Sequence, residues 1–183
     1  MIINRREFIK QGILFYGSLL LLPACRKRPD ANAYRVLSAE EAACLIALCE
    51  QVIPADDMPG ATEAGVVFYI DTVLSSYIPE QLERYREGIR SLQAYCRLTQ
   101  GGVFETLPQE KQIEIMQQME AGNFPDGTWE HISPQAFLSM VIRHTMQGFY
   151  GPPCHGGNKN YASYRMLHLD YPMLAGQNRY ENG

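Results

Sequence analysis

From Ser38 to Thr145 apolar side chains return at spacings of three and four, and prolines, glycines and capping residues cut the pattern into helices. Ser38, with Glu41 three positions on, forms a capping-box signature, and Leu45, Leu48, Cys49, Val52 and Ile53 then share one face up to Pro54. A second helix is predicted from about Thr62 to Tyr77, with Glu63 in the first turn, where the helix dipole favours an acid. Its apolar stripe is Val66, Val67, Ile70, Val73, Leu74 and Tyr77. A third, from Pro79 to about Thr99, carries Leu82, Tyr85, Ile89, Leu92 and Cys96 and stops at Gly101-Gly102, which suit the left-handed turn that closes helices. The fourth opens at Thr106 or Leu107 with Pro108 in its first turn, carries Ile113, Ile115, Met116 and Met119, and ends near Gly122. The fifth opens with Ser133 as cap and Pro134 at the first helical position, and carries Phe137, Leu138, Val141, Ile142 and Thr145. No stretch reads convincingly as a strand. The expected fold is all-α, a compact bundle of about five helices.

The periodicity fails at both ends. Gly148-Phe149-Tyr150-Gly151-Pro152-Pro153-Cys154-His155-Gly156-Gly157-Asn158 has no helical period and is rich in glycine, proline and aromatics. Such a segment is a binding loop or a disordered tail. Its aromatic content argues for order, and Tyr161, Tyr164, Met166, Leu167, Leu169 and Tyr171 could dock it on a partner or wrap it over the bundle.

At the other end, Asn4-Arg5-Arg6-Glu7-Phe8-Ile9-Lys10 leads into an apolar run from Gly12 to Ala24. Paired Arg5 and Arg6 with Phe8 and Lys10 match the twin-Arg export signal, which implies cargo that crosses the membrane folded. The run is shorter than the roughly 20 residues of a membrane-spanning helix and reads as a signal-peptide core. Leu22-Pro23-Ala24-Cys25 resembles a bacterial lipobox, which makes Cys25 the expected lipidation site. The alternatives are ordinary cleavage after Ala24 with Cys25 as a thiol, or an uncleaved N-terminal anchor. The expected organisation is a signal peptide over residues 1–24, a lipidated tether over 25–36, the helical domain over 37–175 and a tail over 176–183.

Removal of residues 1–24 takes Arg5, Arg6, Lys10 and Glu7 from the 16 basic and 20 acidic side chains, leaving 13 and 19, a formal charge of −6. That balance argues against nucleic-acid binding. Besides Cys25 there are four cysteines in a chain expected in a disulfide-permissive compartment, and four permit three pairings. None forms a C-x-x-C pair, so zinc, iron-sulfur and c-type haem attachment lack their usual signature. Cys44, Cys49 and Cys96 lie on helical faces as small hydrophobes, whereas Cys154 lies in the irregular segment.

Catalytic constellations are sparse. Asp56 and Asp57 could be paired carboxylates or a calcium site, but adjacent aspartates between prolines read better as a turn whose side chains cap the next helix. His131, His144, His155 and His168 make no close pair at helical spacing, and His144 sits where it would satisfy the last carbonyls of its helix. Cys154 beside His155 suggests a nucleophile and base, yet sequence neighbours rarely point at each other. The sequence holds no dinucleotide fingerprint, P-loop or nucleophile elbow, and Gly156-Gly157-Asn158 fits a tight turn.

Several blocks together resemble one family. Leu37-Ser38-Ala39-Glu40, Val52-Ile53-Pro54-Ala55-Asp56-Asp57, Pro59-Gly60-Ala61, Glu63-Ala64-Gly65-Val66, Ile70-Asp71, and Gly148-Phe149-Tyr150 through Gly156-Gly157-Asn158 stand in the order and spacing of subunit 3 of the membrane-bound gluconate 2-dehydrogenase family. The chain departs from the family pattern at Tyr164 and Leu169-Asp170-Tyr171-Pro172, and at Cys154-His155. The resemblance implies a non-catalytic periplasmic subunit with no cofactor of its own. It would support export and stability of a large FAD-containing subunit of the glucose-methanol-choline type, in assemblies that often include a multihaem cytochrome c. It also implies a partner interface at Asp56, Asp57, Gly60, Phe149, Tyr150, Cys154, His155, Gly156, Gly157 and Asn158. The other reading is a free-standing envelope lipoprotein that binds through the segment from Gly148 to Asn158.

Overall fold

A computed structural model describes residues 34–169, so Arg5, Arg6, Phe8, Cys25 and the 176–183 tail lie outside the described residues. Those residues form six α-helices joined by turns and short 3-10 segments, with no strand among them. The helices are α1 (Ala39–Val52), α2 (Val66–Ser76), α3 (Leu82–Gln100), α4 (Gln109–Ala121), α5 (Pro134–Tyr150) and the short α6 (Ala162–Met166). The all-α expectation holds.

The boundaries follow the capping chemistry. Ser38 Oγ accepts the Glu41 N–H at 3.1 Å while Glu41 Oε2 accepts the Ser38 N–H at 2.8 Å, so both halves of the capping box close. Gly101 and Gly122 end α3 and α4 in the left-handed region, and Ser133 caps α5 ahead of Pro134. Pro108 is the N-cap residue of α4, just before the first turn expected for it.

Two boundaries move furthest. α2 begins at Val66, not Thr62, because Gly65 adopts φ 69° and the chain from Ala61 to Gly65 turns instead of coiling regularly. Glu63 therefore precedes the helix. At the other end α5 continues through Gly148 and Phe149 to Tyr150, so the first three residues of the irregular segment are its last turn.

α5 is the central helix, packing against α1, α2, α3, α4 and α6. Phe137, Val141, Thr145 and Phe149 descend its inner face fully buried. They meet Leu45, Leu48 and Cys49 of α1, Val66, Ile70 and Leu74 of α2, Tyr85, Leu92 and Cys96 of α3, and Ile115 and Met119 of α4 in one core. Gly88 lets α3 approach α5 closely, since a β-carbon there would run into the Phe137 ring. Tyr77 leaves the predicted stripe and is 62% exposed.

Buried polar groups fix the connections. Gln93 Oε1 accepts the Phe104 N–H at 2.9 Å, and Gln112 Nε2 donates to the Phe104 carbonyl at 2.9 Å, so two glutamine side chains satisfy the backbone that buries Phe104 between α3 and α4. Asp71 on α2, 3% exposed, does the same for the chain entering the domain. Its Oδ2 accepts from Arg35 N at 2.8 Å, and its Oδ1 from Val36 N at 3.0 Å and Leu37 N at 3.1 Å. Arg86 of α3 completes that clamp by donating to the Val36 carbonyl at 3.2 Å and pairing with Glu41 at 3.3 Å.

Candidate functional site

The irregular segment folds back along α2. His155 meets Tyr77 edge to face at a centroid distance of 5.8 Å, Gly156 lies over Phe68 and Thr72, and the Lys159 N–H donates to the Ala64 carbonyl at 2.9 Å. The chain thus runs from the C-terminal to the N-terminal end of α2. Its glycines are there for space. A β-carbon on Gly157 would overlap the Gly148 carbonyl, and one on Gly156, whose φ is 102°, would press on the Phe68 carbonyl. Asn158, fully buried at φ 46°, closes the lock: its Nδ2 donates to the Gly151 carbonyl and its Oδ1 accepts the Ser163 N–H, both at 2.9 Å.

This divides the ten residues predicted for the interface. Gly60, Phe149, Gly157 and Asn158 are buried and hold the framework, while Asp56, Asp57, Tyr150, Cys154 and Gly156 are exposed and His155 is half-buried. Asp56 and Asp57 lie at the Pro54–Gly60 connection rather than in the C-terminal segment. Asp56 Oδ1 accepts the Met58 N–H at 2.8 Å and so caps its own turn, not the next helix, whose cap is Gly65. The carboxylate that anchors this loop is Glu50, which accepts from Ala55 N and Thr62 N, both at 2.9 Å, and from the Thr62 hydroxyl.

A second surface was not anticipated. Between α1, α4 and α5 runs a groove of about 530 Å³ lined by Val52, Ile113, Met116, Leu138, Ile142 and polar residues that include Gln51 and Gln135. Ile113 and Ile142, which periodicity places among the apolar positions of their helices, are 41% and 40% exposed, and both line it.

The buried titratable groups are structural. His144, expected to satisfy carbonyls at the end of α5, instead lies 5% exposed with Nδ1 2.7 Å from the Tyr85 hydroxyl, the rings stacked at 5.8 Å. Burial and then the neighbouring Arg143 lower its pKa, keeping it neutral. Cys44, Cys49 and Cys96 are buried free thiols; burial pushes Cys49 up to about 12 and Cys96 up to about 11, which leaves both protonated. Cys154 is an exposed free thiol. Among the described residues no group of three or more His, Cys, Asp and Glu side chains could hold a metal ion, and no helix is long and apolar enough to cross a membrane.

Comparison with curated proteins finds no match, and comparison with solved structures finds none. The family model described as gluconate 2-dehydrogenase subunit 3 matches residues 39–170, from the start of α1 to just beyond the last described residue, and the chain belongs to that family.

Proposed function

We propose that this chain is the accessory small subunit of a periplasmic, membrane-associated dehydrogenase whose FAD-containing large subunit, of the glucose-methanol-choline type, it escorts across the membrane and then stabilises. The observation that carries this is family membership over the whole helical domain, in a family named for one subunit of a dehydrogenase. The groove between α1, α4 and α5 supports it. Ile113 and Ile142, partly exposed beside Val52, Met116 and Leu138, offer a partner's apolar segment a seat. The paired Arg5 and Arg6 fit the same role, because a flavoprotein must fold around FAD before export and can cross bound to a chain that carries the signal. The chain supplies no oxidation chemistry in this reading. It binds, orients and protects the subunit that does, and a cytochrome c subunit would receive the electrons.

The test is deletion of this chain from cells that retain the large subunit, followed by fractionation and flavin spectroscopy. Loss of FAD protein from the periplasm, restored by the intact chain but not by Arg5→Lys with Arg6→Lys, is the expected result. A large subunit that reaches the periplasm unaided overturns the escort role. A chain that purifies from its native envelope without a flavoprotein overturns the subunit role and favours the free-standing lipoprotein.

A further inference from the structure

The groove between α1, α4 and α5 is walled by two helix faces. α4 lines it with Ile113, Met116, Gln117 and Glu120, and α5 with Gln135, Leu138, Ser139 and Ile142, so each helix contributes positions i, i+3, i+4 and i+7. That spacing is the strip one helix offers to another, and two such strips side by side form a seat for a third. Each strip is about 10 Å long, roughly two turns of an occupant.

The groove is also directional. A β-carbon on Gly122 would run into the Gln135 side chain, so α4 ends where α5 begins and the two helices line the groove in opposite directions. Glu120 and Gln135 therefore share one end, and Ile113 and Ile142 the other. Gln51 Nε2 donates to Gln112 Oε1 at 2.8 Å, which brings the last turn of α1, with Val52, to the apolar end. Charge follows the same axis. Glu120 is exposed and is the one charged side chain among the lining residues, which include no cation. α4 as a whole carries Glu110, Glu114 and Glu120 against Lys111.

We propose that the occupant is an amphipathic helix of the large subunit, with apolar side chains packed on Val52, Ile113 and Ile142 and a lysine or arginine about two turns along the same face, set against Glu120. The proposal rests on the reading of this chain as a dehydrogenase subunit and adds the secondary structure and the charge of the segment that docks. The walls call for a helix, because an extended strand would turn backbone N–H and C=O groups toward apolar side chains, whereas a helix bonds its own. The carboxylate calls for a cation, because an acid there would lose its water beside Glu120 on binding. A second copy of this chain, with more acidic than basic side chains, brings the wrong charge to that end.

Gln117 is exposed on the groove wall, and Leu98, 86% exposed, is not among the lining residues. Full-length chains with p-benzoylphenylalanine in place of Gln117 or of Leu98 are irradiated in the native envelope, and the cross-linked peptides are read by mass spectrometry. Expected from position 117, and not from position 98, is a flavoprotein peptide with apolar residues at i and i+3 or i+4 and a lysine or arginine at about i+7. In the same envelope, Glu120→Lys should lower the flavin retained per mole of this chain about tenfold or more, while Glu114→Lys, outside the groove lining, should not. Changing the cross-linked cation of the partner to glutamate should restore retention by Glu120→Lys. A cross-link from position 117 to a second copy, or to a flavoprotein segment without that pattern, overturns the proposal, and so does equal retention by Glu120→Lys and Glu114→Lys. In each of these cases the flavoprotein still co-purifies with the unaltered chain and the subunit reading stands. An unaltered chain that brings no flavoprotein from the envelope overturns the subunit reading and this proposal with it.

Discussion

Asp71 holds the backbone of Arg35 across 36 positions of sequence: its Oδ2 accepts the Arg35 N–H at 2.8 Å from within α2. With Oδ1 serving Val36 and Leu37, one carboxylate satisfies three donors at the point where the chain enters the fold. Asp71→Ala should cost about 3 kcal/mol in urea unfolding, since buried donors lose their partner, and Asp71→Asn less, since one acceptor oxygen remains. Faster tryptic cleavage at Arg35 should accompany the loss. Wild-type stability and cleavage in Asp71→Ala would show that the clamp does not hold the entry segment.

Tyr85 and His144 set an acid limit on stability. His144 in the fold has a pKa below its ordinary 6.5, so the unfolded chain takes the proton first. The stabilisation is complete above about pH 6.5 and declines as the pH falls from there toward the folded value. His144→Gln should flatten this limb of a stability profile between about pH 6.5 and 5, a window above most carboxylate titration. Tyr85→Phe removes the hydroxyl bonded to Nδ1 and to the Met140 carbonyl, and should cost about 1 to 2 kcal/mol at neutral pH.

Gly157 and Gly101 separate two reasons for a glycine. At Gly157 an added methyl overlaps the backbone of Gly148, which cannot step aside without moving α5, so Gly157→Ala should destabilise by about 3 kcal/mol or misfold the lock. At Gly101 nothing lies within 4 Å and only the φ of 69° resists, so Gly101→Ala should cost about 1 kcal/mol. Thermal unfolding of the two variants checks the order. Equal losses would mean that the C-terminal lock yields and that the close approach of Gly157 to Gly148 is not required.

What sequence disclosed was the part of the fold written in local pairs. Ser38 with Glu41, Ser133 with Pro134, and the stops at Gly101 and Gly122 act within one helical turn, so the residues that make the bond stand together in the chain. The start of α2 was misplaced because Glu63 and Val66 carry helix preference, while the decision lies with the left-handed Gly65. The roles of Asp71, Gln112 and His144 were illegible for another reason: each satisfies a group at least eight residues away, and a polar residue inside an apolar stripe does not name its partner. At the predicted interface, Asn158 shows the same limit. Its composition suggests a turn, which it makes, but its full burial follows from the docking of 155–159 on α2.

The groove offers the sharpest separation of folding from partner binding. Ile142 and Ile113 are each about two-fifths exposed, so an aspartate at either position can remain hydrated and the fold should survive with little loss of stability. If the large subunit seats an apolar segment there, the charge must be stripped of water on binding, and affinity should fall at least tenfold, about 1.4 kcal/mol or more. Co-purification from the envelope, read as flavin absorbance per mole of this chain, measures it. Ile142→Asp should lose the flavoprotein while Leu98→Asp, 86% exposed and away from the groove-lining residues, should retain it. Equal retention by the two variants would move the partner off α1, α4 and α5. A loss confined to changes at Tyr77 or Phe68 would place it instead on α2 and the chain that folds back along it.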